Sequence, residues 1–541
     1  MVQAMIKRIF CSLFIMIMVL ALAQCAKRGT PSGGEKDTTP PKLLRAEPEN
    51  MTTNFKEKKI RLYFDEYIKL KDVQKQLIVS PPLKYNPLIT PQGSASKFIE
   101  ITIKDTLKEN TTYTLNFGQS ITDNNEGNPN SFLTYVFSTG NYIDSLSLSG
   151  VVQDAFKKKV DQFVSVMLYE LDSTYTDSTI YKRPPNYITN TLDSATTFKL
   201  NFLKEGKYAL FAVKDEGKNN LFDQKVDKIG FVTDTISLPT DSIYALTLFK
   251  EIPDYQAAVP SYAAKNKIVF GYQGEGRHIV IEPLTKLPDT IKTKILKEAG
   301  KDTLNYWFTP FETDSIVFQM TNEKWKVKDT FTVKSRKLAA DSLVLTPNQN
   351  RNLAFEEPFY INANIPIVQI DSSKIALMIK DSIPVNFTSK LDSVQNRITV
   401  DFTLEPNERY TMDLLPGAIR DFFGTENDTI AYTFSTASYA DYGNLGLNLV
   451  GNPTYPLIIQ LTDEAGKTKR EIYATEPRAF QFNHLKPSKY MIRIIYDSNN
   501  NGKWDTGSFL QKIRPEKVIY YPTVIEVRAN WELVESFNLL D

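Results

Sequence analysis

The side chains best spaced for chemistry lie in the run Asp497-Ser498-Asn499-Asn500-Asn501-Gly502-Lys503-Trp504-Asp505. Asp497, Asn499, Asn501 and Asp505 take positions 1, 3, 5 and 9, with Gly502 at position 6. Oxygen ligands on alternate residues, with a glycine where the chain turns sharply, let a short loop curl around a hard cation, and Ca2+ is the ion that fits. Position 12, where such loops supply a bidentate carboxylate, is Ser508, so the site is short of charge. A weaker copy holds Asp215, Asn219 and Asp223, with Gly217 in the place of Asn499 and Asn220 in the place of the turn glycine. The same residues also suit Asx turns that only shape a connection between strands, Phe222 and Trp504 pinning the loops to the core. No cofactor is required by either reading.

Other chemistry finds little to work with. Nucleophilic catalysis of the Ser-His-Asp or Cys-His kind needs an imidazole, and the chain has only His278 and His484. His278 sits in RHIVI, a strand by alternation, and His484 occupies a position that its repeat fills with Phe202, so both read as packing or surface residues. The Gly271-Tyr272-Gln273-Gly274-Glu275-Gly276 run is followed by a strand pattern, not a helix, which argues for a hairpin connection over a phosphate cradle. Asp65 and Glu66 offer two carboxylates, which would suit acid-base hydrolysis if a second acid lay across a cleft. The expectation is a protein that is not an enzyme.

Cys25 carries a different chemistry. Lys7 and Arg8 precede an almost wholly apolar stretch, residues 9–23, which ends in Leu22-Ala23-Gln24-Cys25. The pattern is that of a secretory signal, and the apolar stretch is shorter than the ~20 residues of a spanning helix. The last four residues form a lipobox, with Gln24 in place of the usual small residue, and Cys25 is the candidate lipidation site. Several acyl chains there give anchoring that one chain cannot, at ~0.8 kcal/mol per buried CH2. With Cys11 in the removed signal, disulfides and thiolate metal sites are excluded from the mature chain. The 26–39 stretch is small and polar and reads as a tether with a reach of roughly 20 Å.

The elements that must position these residues are strands. Ile60, Leu62 and Phe64 alternate with Arg61, Tyr63 and Asp65; Ile99, Ile101 and Ile103 alternate with Glu100, Thr102 and Lys104. Turn clusters such as residues 122–130 break the alternation, and long amphipathic helical patterns are hard to find. The chain balances 64 Lys and Arg against 63 Asp and Glu, without long basic runs, which argues against nucleic acid as a partner. No later apolar stretch approaches a spanning length.

The chain also repeats itself. Leu107, Asn110, Tyr113 and Phe137-Ser138-Thr139 recur as Leu404, Asn407, Tyr410 and Phe434-Ser435-Thr436 at an offset of 297. Phe198, Leu200, Asn201, Leu203 and Tyr208 recur as Phe480, Phe482, Asn483, Leu485 and Tyr490 at an offset of 282, which holds as far as Asp223 and Asp505. Self-similarity at fixed offsets marks a duplicated two-module unit. The organisation expected is a signal peptide (1–24), a tether (25–39), modules A (40–140) and B (141–253), a sandwich-like segment C (254–340), and modules A′ (341–437) and B′ (438–541).

With IRLYFDEYIKL, NTTYTLNFGQSITDNNEGN and FSTG, the A modules resemble the S-layer-type bacterial Ig-like domain found in Bacteroidota envelope lipoproteins. The B modules are similar to carboxypeptidase-regulatory or prealbumin-like sandwiches, in which a strand ends in an Asp- and Asn-rich loop. The resemblance implies an all-β chain of tandem antiparallel β-sandwich modules, Ig-like and prealbumin-like, with the Asp65-Glu66 pair as part of the scaffold. It also implies a lipid-anchored scaffold or docking subunit of the cell outer membrane, accessory to an outer-membrane protein complex such as β-barrel assembly machinery. The alternative is a glycan-binding or glycan-processing lipoprotein of a nutrient-uptake system, exposed aromatics stacking on sugars. The partner implied beyond the membrane itself is a protein complex. Ala26 and Lys27 follow the cysteine, so an inner-membrane retention signal is absent, while the side of the outer membrane stays open.

Overall fold

The computed structural model describes residues 37–131, 133–191 and 196–539, which form two compact units, one up to residue 143 and one from residue 144. Cys25, the signal peptide and nearly all of the tether lie outside the described residues. The fold is nearly all β, and among the described residues no helix is long and apolar enough to cross a membrane.

In the first unit, strands Leu43–Glu47, Lys59–Leu70, Ser96–Thr102 and Leu88–Thr90 make one sheet in that order, with Ile121–Asp123 added to Lys59–Leu70. Ile78–Ser80, Thr112–Asn116 and Thr134–Ser138 make the other. Alternate residues of a strand face opposite ways. Ile60, Leu62, Phe64, Ile99 and Ile101 therefore enter one core with Tyr113, Leu115, Tyr135 and Phe137 from the second sheet, while Arg61, Tyr63 and Phe98 stay on the outer face.

The repeated tyrosine has a structural task. The Lys108 N–H donates to Tyr113 Oη at 2.9 Å, and the Glu405 N–H donates to Tyr410 Oη at 2.7 Å. In both copies the turn between runs through a left-handed asparagine, Asn110 (φ 46°) and Asn407 (φ 56°), a conformation that asparagine tolerates better than most residues.

In module B, Tyr187–Asn190, Ser165–Glu170, Gly206–Lys214 and Lys228–Phe231 form one sheet, with Ile236–Leu238 also on Gly206–Lys214; Thr197–Leu203, Leu146–Asp154 and Ile243–Leu248 form the other. Module B′ has the same strand order. Its larger sheet is Thr468–Ala474, Leu457–Thr462, Ser488–Tyr496 and Val518–Tyr520, with Ile525–Val527, and its smaller sheet is Phe480–Leu485, Gly443–Val450 and Glu532–Asn538. Each module has its own apolar core. The sheets are antiparallel sandwiches as expected, and each of these two modules adds one parallel pair. Ile243–Leu248 runs parallel to Leu146–Asp154, and Glu532–Asn538 runs parallel to Gly443–Val450. The last strand of each module returns beside the first after crossing the larger sheet, and a connection that long can deliver a strand in either direction.

The remaining stretches also form paired sheets around apolar cores, from Gln256–Ala257 to Val327–Lys334 and from Leu345–Pro347 to Ile430–Ser435. The glycine-rich run after Lys267–Gln273 differs from expectation. It does not close a hairpin, because Lys267–Gln273 pairs with Thr303–Phe308 while the next strand, Ile279–Pro283, pairs with Ser315–Asn322 in the other sheet. His278 lies in the turn before that strand, exposed and left-handed at φ 67°.

Candidate functional site

The two Asp- and Asn-rich loops leave equivalent strands, Gly206–Lys214 and Ser488–Tyr496, and are built on one plan. Asp497 Oδ1 accepts the Asn501 N–H at 3.1 Å and Oδ2 accepts the Gly502 N–H at 2.8 Å. Asp215 Oδ1 accepts the Asn219 N–H at 3.3 Å and Oδ2 the Asn220 N–H at 2.7 Å. The turn requires positive φ in both, 71° at Gly502 and 58° at Asn220, so asparagine replaces glycine without changing the path. Burial of the Asp497 carboxyl opposes its charge, but the N–H groups of Gly502 and Asn501 and the Tyr473 hydroxyl prevail and hold its pKa below the ordinary value.

The predicted cation ligands come together only in part. Asn499 Oδ1 accepts the Asn501 N–H at 3.2 Å and Asn501 Oδ1 accepts the Lys503 N–H at 2.8 Å, while both side-chain amides donate to Asp505 Oδ2. The asparagine oxygens thus face the loop's own backbone. A cation here would be held chiefly by Asp497 and Asp505.

Each loop is closed by an acid that the spacing did not reveal. Glu516 accepts the Ser498 N–H at 2.7 Å and the Asp505 N–H at 3.0 Å. Asp227 accepts the N–H groups of Glu216 and Asp223, the residues equivalent to Ser498 and Asp505, at 2.9 and 2.8 Å. The repeat offset is 282 at Asp223 and Asp505 but 289 at Ile229 and Val518, which occupy the same register opposite Val213 and Ile495. B′ therefore carries seven extra residues between the loop and its closing acid. The signal that finds Glu516 is the match of Asp227-Lys228-Ile229 to Glu516-Lys517-Val518 beyond the insertion.

Those extra residues reach module B. Thr506 Oγ1 donates to the Lys250 carbonyl at 2.6 Å, and the Phe509 N–H donates to the buried Glu251 carboxylate. The Phe509 ring, 1% exposed, packs edge-on against Phe211 and Phe231 at 5.1 and 5.3 Å. Burying a side chain of this size contributes roughly 1.5–3 kcal/mol. Lys512 pairs with Asp177 at 2.9 Å, and Arg514 donates to Thr233 Oγ1 at 3.1 Å. Burial pushes the Glu251 carboxyl above its ordinary pKa, against the Phe509 N–H.

Module B reciprocates with Phe156. Its ring lies under the Arg493 guanidinium at 4.0 Å and against Trp504 at 4.7 Å, and its carbonyl accepts from Tyr520 Oη at 2.6 Å. Trp504 thus pins its loop to the sister module, whereas Phe222 packs within B against Tyr181. Phe211 pairs with Phe231 in one ladder and Arg493 pairs with Tyr520 in the other, so the same two positions of each sheet receive an aromatic ring from the other module.

The other junction of B′ holds His484. It sits on a left-handed bulge like Phe202, its Nδ1 is 2.8 Å from Glu356 Oε1, and its ring stacks on Tyr439.

Residues 37–139 match the family model described as a bacterial Ig-like domain. No curated protein matches the sequence. Among solved structures, the chain is similar to the S-layer protein rSbsC, at 12% identity over 90% of this chain and 67% of that one, with a TM-score of 0.14. It is also similar to a Bacteroides ovatus protein from a mixed-linkage glucan utilization locus, solved with a mixed-linkage heptasaccharide, at 11% identity over 70% of this chain and 93% of that one, TM-score 0.19. A third is the major pilin subunit of Bacillus cereus, at 9% identity over 73% and 99%, TM-score 0.14.

Proposed function

We propose that this chain is a non-enzymatic envelope lipoprotein, tethered to the outer membrane through acylated Cys25, that serves as a scaffold or docking subunit of an outer-membrane protein complex such as β-barrel assembly machinery. The observation that carries the reading is the reciprocal junction of B and B′. A seven-residue insertion, a buried glutamate and a buried arginine are all committed to fixing one module against another. Fixing the relative placement of binding surfaces is what a scaffold requires, and an ordinary linker between independent modules would not need it. The lipobox that ends at Cys25 supports the anchor. The B′ loop is a weak calcium site within this frame, with Asp497 and Asp505 as its charged ligands.

Affinity purification of the lipidated chain in mild detergent is expected to recover a stoichiometric outer-membrane protein. Recovery of the chain alone, from cells in which Cys25→Ser releases it from membranes, would keep the anchor and reject the docking role.

One observation favours the glycan-binding alternative. On the outer sheet face of the first unit, Arg45 covers the Tyr63 ring at 4.0 Å, and Tyr63 lies 5.8 Å from the exposed Phe98, with Glu47 and Glu100 beside them. Aromatic faces flanked by charged hydrogen-bonding groups suit a sugar ring. Pull-down on immobilised polysaccharides, with Tyr63→Ala as control, separates the two readings.

A further inference from the structure

We infer that the recess between the 155–163 segment of module B and the larger sheet of B′ binds a phosphate-type oxyanion. The recess has a volume of about 700 Å3, and its wall includes Phe156, Lys157, Lys159, Glu464, Arg493 and Tyr520.

Among the described residues, its deepest cation has no direct counter-charge. Arg493 is 3% exposed, and Nε donates to Gln460 Oε1 at 2.7 Å, Nη1 to Tyr520 Oη at 3.3 Å and Nη2 to Thr468 Oγ1 at 3.2 Å. All three acceptors are uncharged, and the fourth neighbour is the Phe156 ring face. Among the described residues a carboxylate is reached only through Gln460, whose amide donates to Glu471 at 2.6 Å. Buried charges are ordinarily paired, because leaving one alone in a medium of low dielectric is costly.

The fold does not demand an arginine at this place. The equivalent ladder row of B is Met167, Phe211 and Phe231, whereas that of B′ is Gln460, Arg493 and Tyr520. Two sheets of one topology, each receiving an aromatic ring from the other, therefore differ in polarity along this row.

The rim adds positive charge. Lys157 and Lys159 are exposed, while Lys158 is held by the carbonyls of Tyr521 and Pro522 at 3.1 and 2.9 Å. Of the two acids among the described residues of the wall, Asp161 is taken by Lys228 at 2.6 Å, which leaves Glu464 at the exposed edge. An arginine plane with lysines around it matches the oxygens of a phosphate, which accepts several charge-assisted hydrogen bonds at once. The source is a soluble phosphate compound or the phosphate of a lipid headgroup.

The test uses the full chain carrying Cys25→Ser, so that no acyl anchor contributes. Calorimetric titration with inorganic phosphate is run beside flotation with phosphatidylglycerol vesicles and with phosphatidylcholine vesicles. Saturable binding of phosphate, or retention by phosphatidylglycerol but not phosphatidylcholine vesicles, is expected, the two arms distinguishing a soluble anion from a headgroup. The exposed-residue variant Lys157→Ala/Lys159→Ala is expected to keep the wild-type melting temperature and weaken binding roughly tenfold or more, and Arg493→Gln to abolish it. Absence of binding in both arms, or binding unchanged in the lysine variant, overturns the proposal. Because the lysine variant leaves the Phe156 and Phe509 contacts alone, it separates anion binding from the docking of B on B′.

Discussion

Modules B and B′ share strand order, a loop plan and a closing acid, yet they meet each other with different chemistry. B offers an apolar row, Met167, Phe211 and Phe231, to Phe509; B′ offers a polar row, Gln460, Arg493 and Tyr520, to Phe156. The difference shows how a duplicated unit comes to bind its own copy. The core faces stay alike because each must fill the space between two sheets, whereas the outer faces diverge freely once each has a dedicated partner. The seven-residue insertion is the other half of the divergence. In B the loop returns at once to its sheet through Asp227, and in B′ it first crosses to the neighbour and then returns through Glu516.

The largest expected effect falls on the insertion. Phe509→Ala empties a site walled by Phe211 and Phe231 and is expected to cost about 3–5 kcal/mol. Urea unfolding of the chain should then show B and B′ separating into distinct transitions. The converse substitution, Phe156→Ala, should cost less, because the ring lies half-buried and Arg493 keeps its Gln460, Tyr520 and Thr468 partners.

Next in size are the closing acids. Asp227→Ala and Glu516→Ala each strand two N–H groups and are expected to destabilise by about 1–3 kcal/mol, similarly in the two modules because the bonds correspond. A large effect in one and none in the other, by thermal unfolding, would break the claim that they are equivalents.

Glu251 gives a smaller effect with a definite sign. Its pKa is raised by burial in the docked form, so docking retains the proton. Its contribution is complete below the ordinary carboxyl value of 4.5 and is lost as pH rises through the raised one. Asp497 runs the other way: its lowered pKa gives stability present above the ordinary 3.8 and lost as pH falls through the lowered value. Glu251→Gln should flatten the upper limb of a stability profile by about 1 kcal/mol and leave the acid limb in place.

Calcium should matter least. With an affinity near 1 mM, millimolar calcium adds about 0.4 kcal/mol to the folded state. Asp497→Ala should abolish that increment and Asp215→Ala should leave it intact, by thermal shift with and without chelator. No increment in the wild type would reduce both loops to Asx turns.

Much of the fold was legible because strands with one buried face must alternate. Ile60, Leu62 and Phe64 mark the Lys59–Leu70 strand, and the shared Asn and Tyr of the A modules mark a turn that needs a left-handed residue and a hydroxyl acceptor. What stayed hidden depends on neighbours distant in sequence. The Gly271–Gly276 region reads locally like a hairpin, but which sheet the next strand joins is decided by Thr303–Phe308 and Ser315–Asn322. Trp504 looks like a plug for its own core, and only the approach of Phe156 shows otherwise. Glu516 escaped because the insertion shifted it out of register. The candidate loops could be found from Asp and Asn spacing, but that the asparagine oxygens turn to the backbone could not.

Whether reciprocal contacts fix B and B′ against each other can be read from electron–electron distances between spin labels. Labels at Ser237→Cys on B and Lys489→Cys on B′, both exposed, would be placed in a Cys25→Ser chain. A single narrow distance distribution that broadens on Phe509→Ala is predicted. A broad distribution in the chain with Phe509 intact would mean that B and B′ move independently.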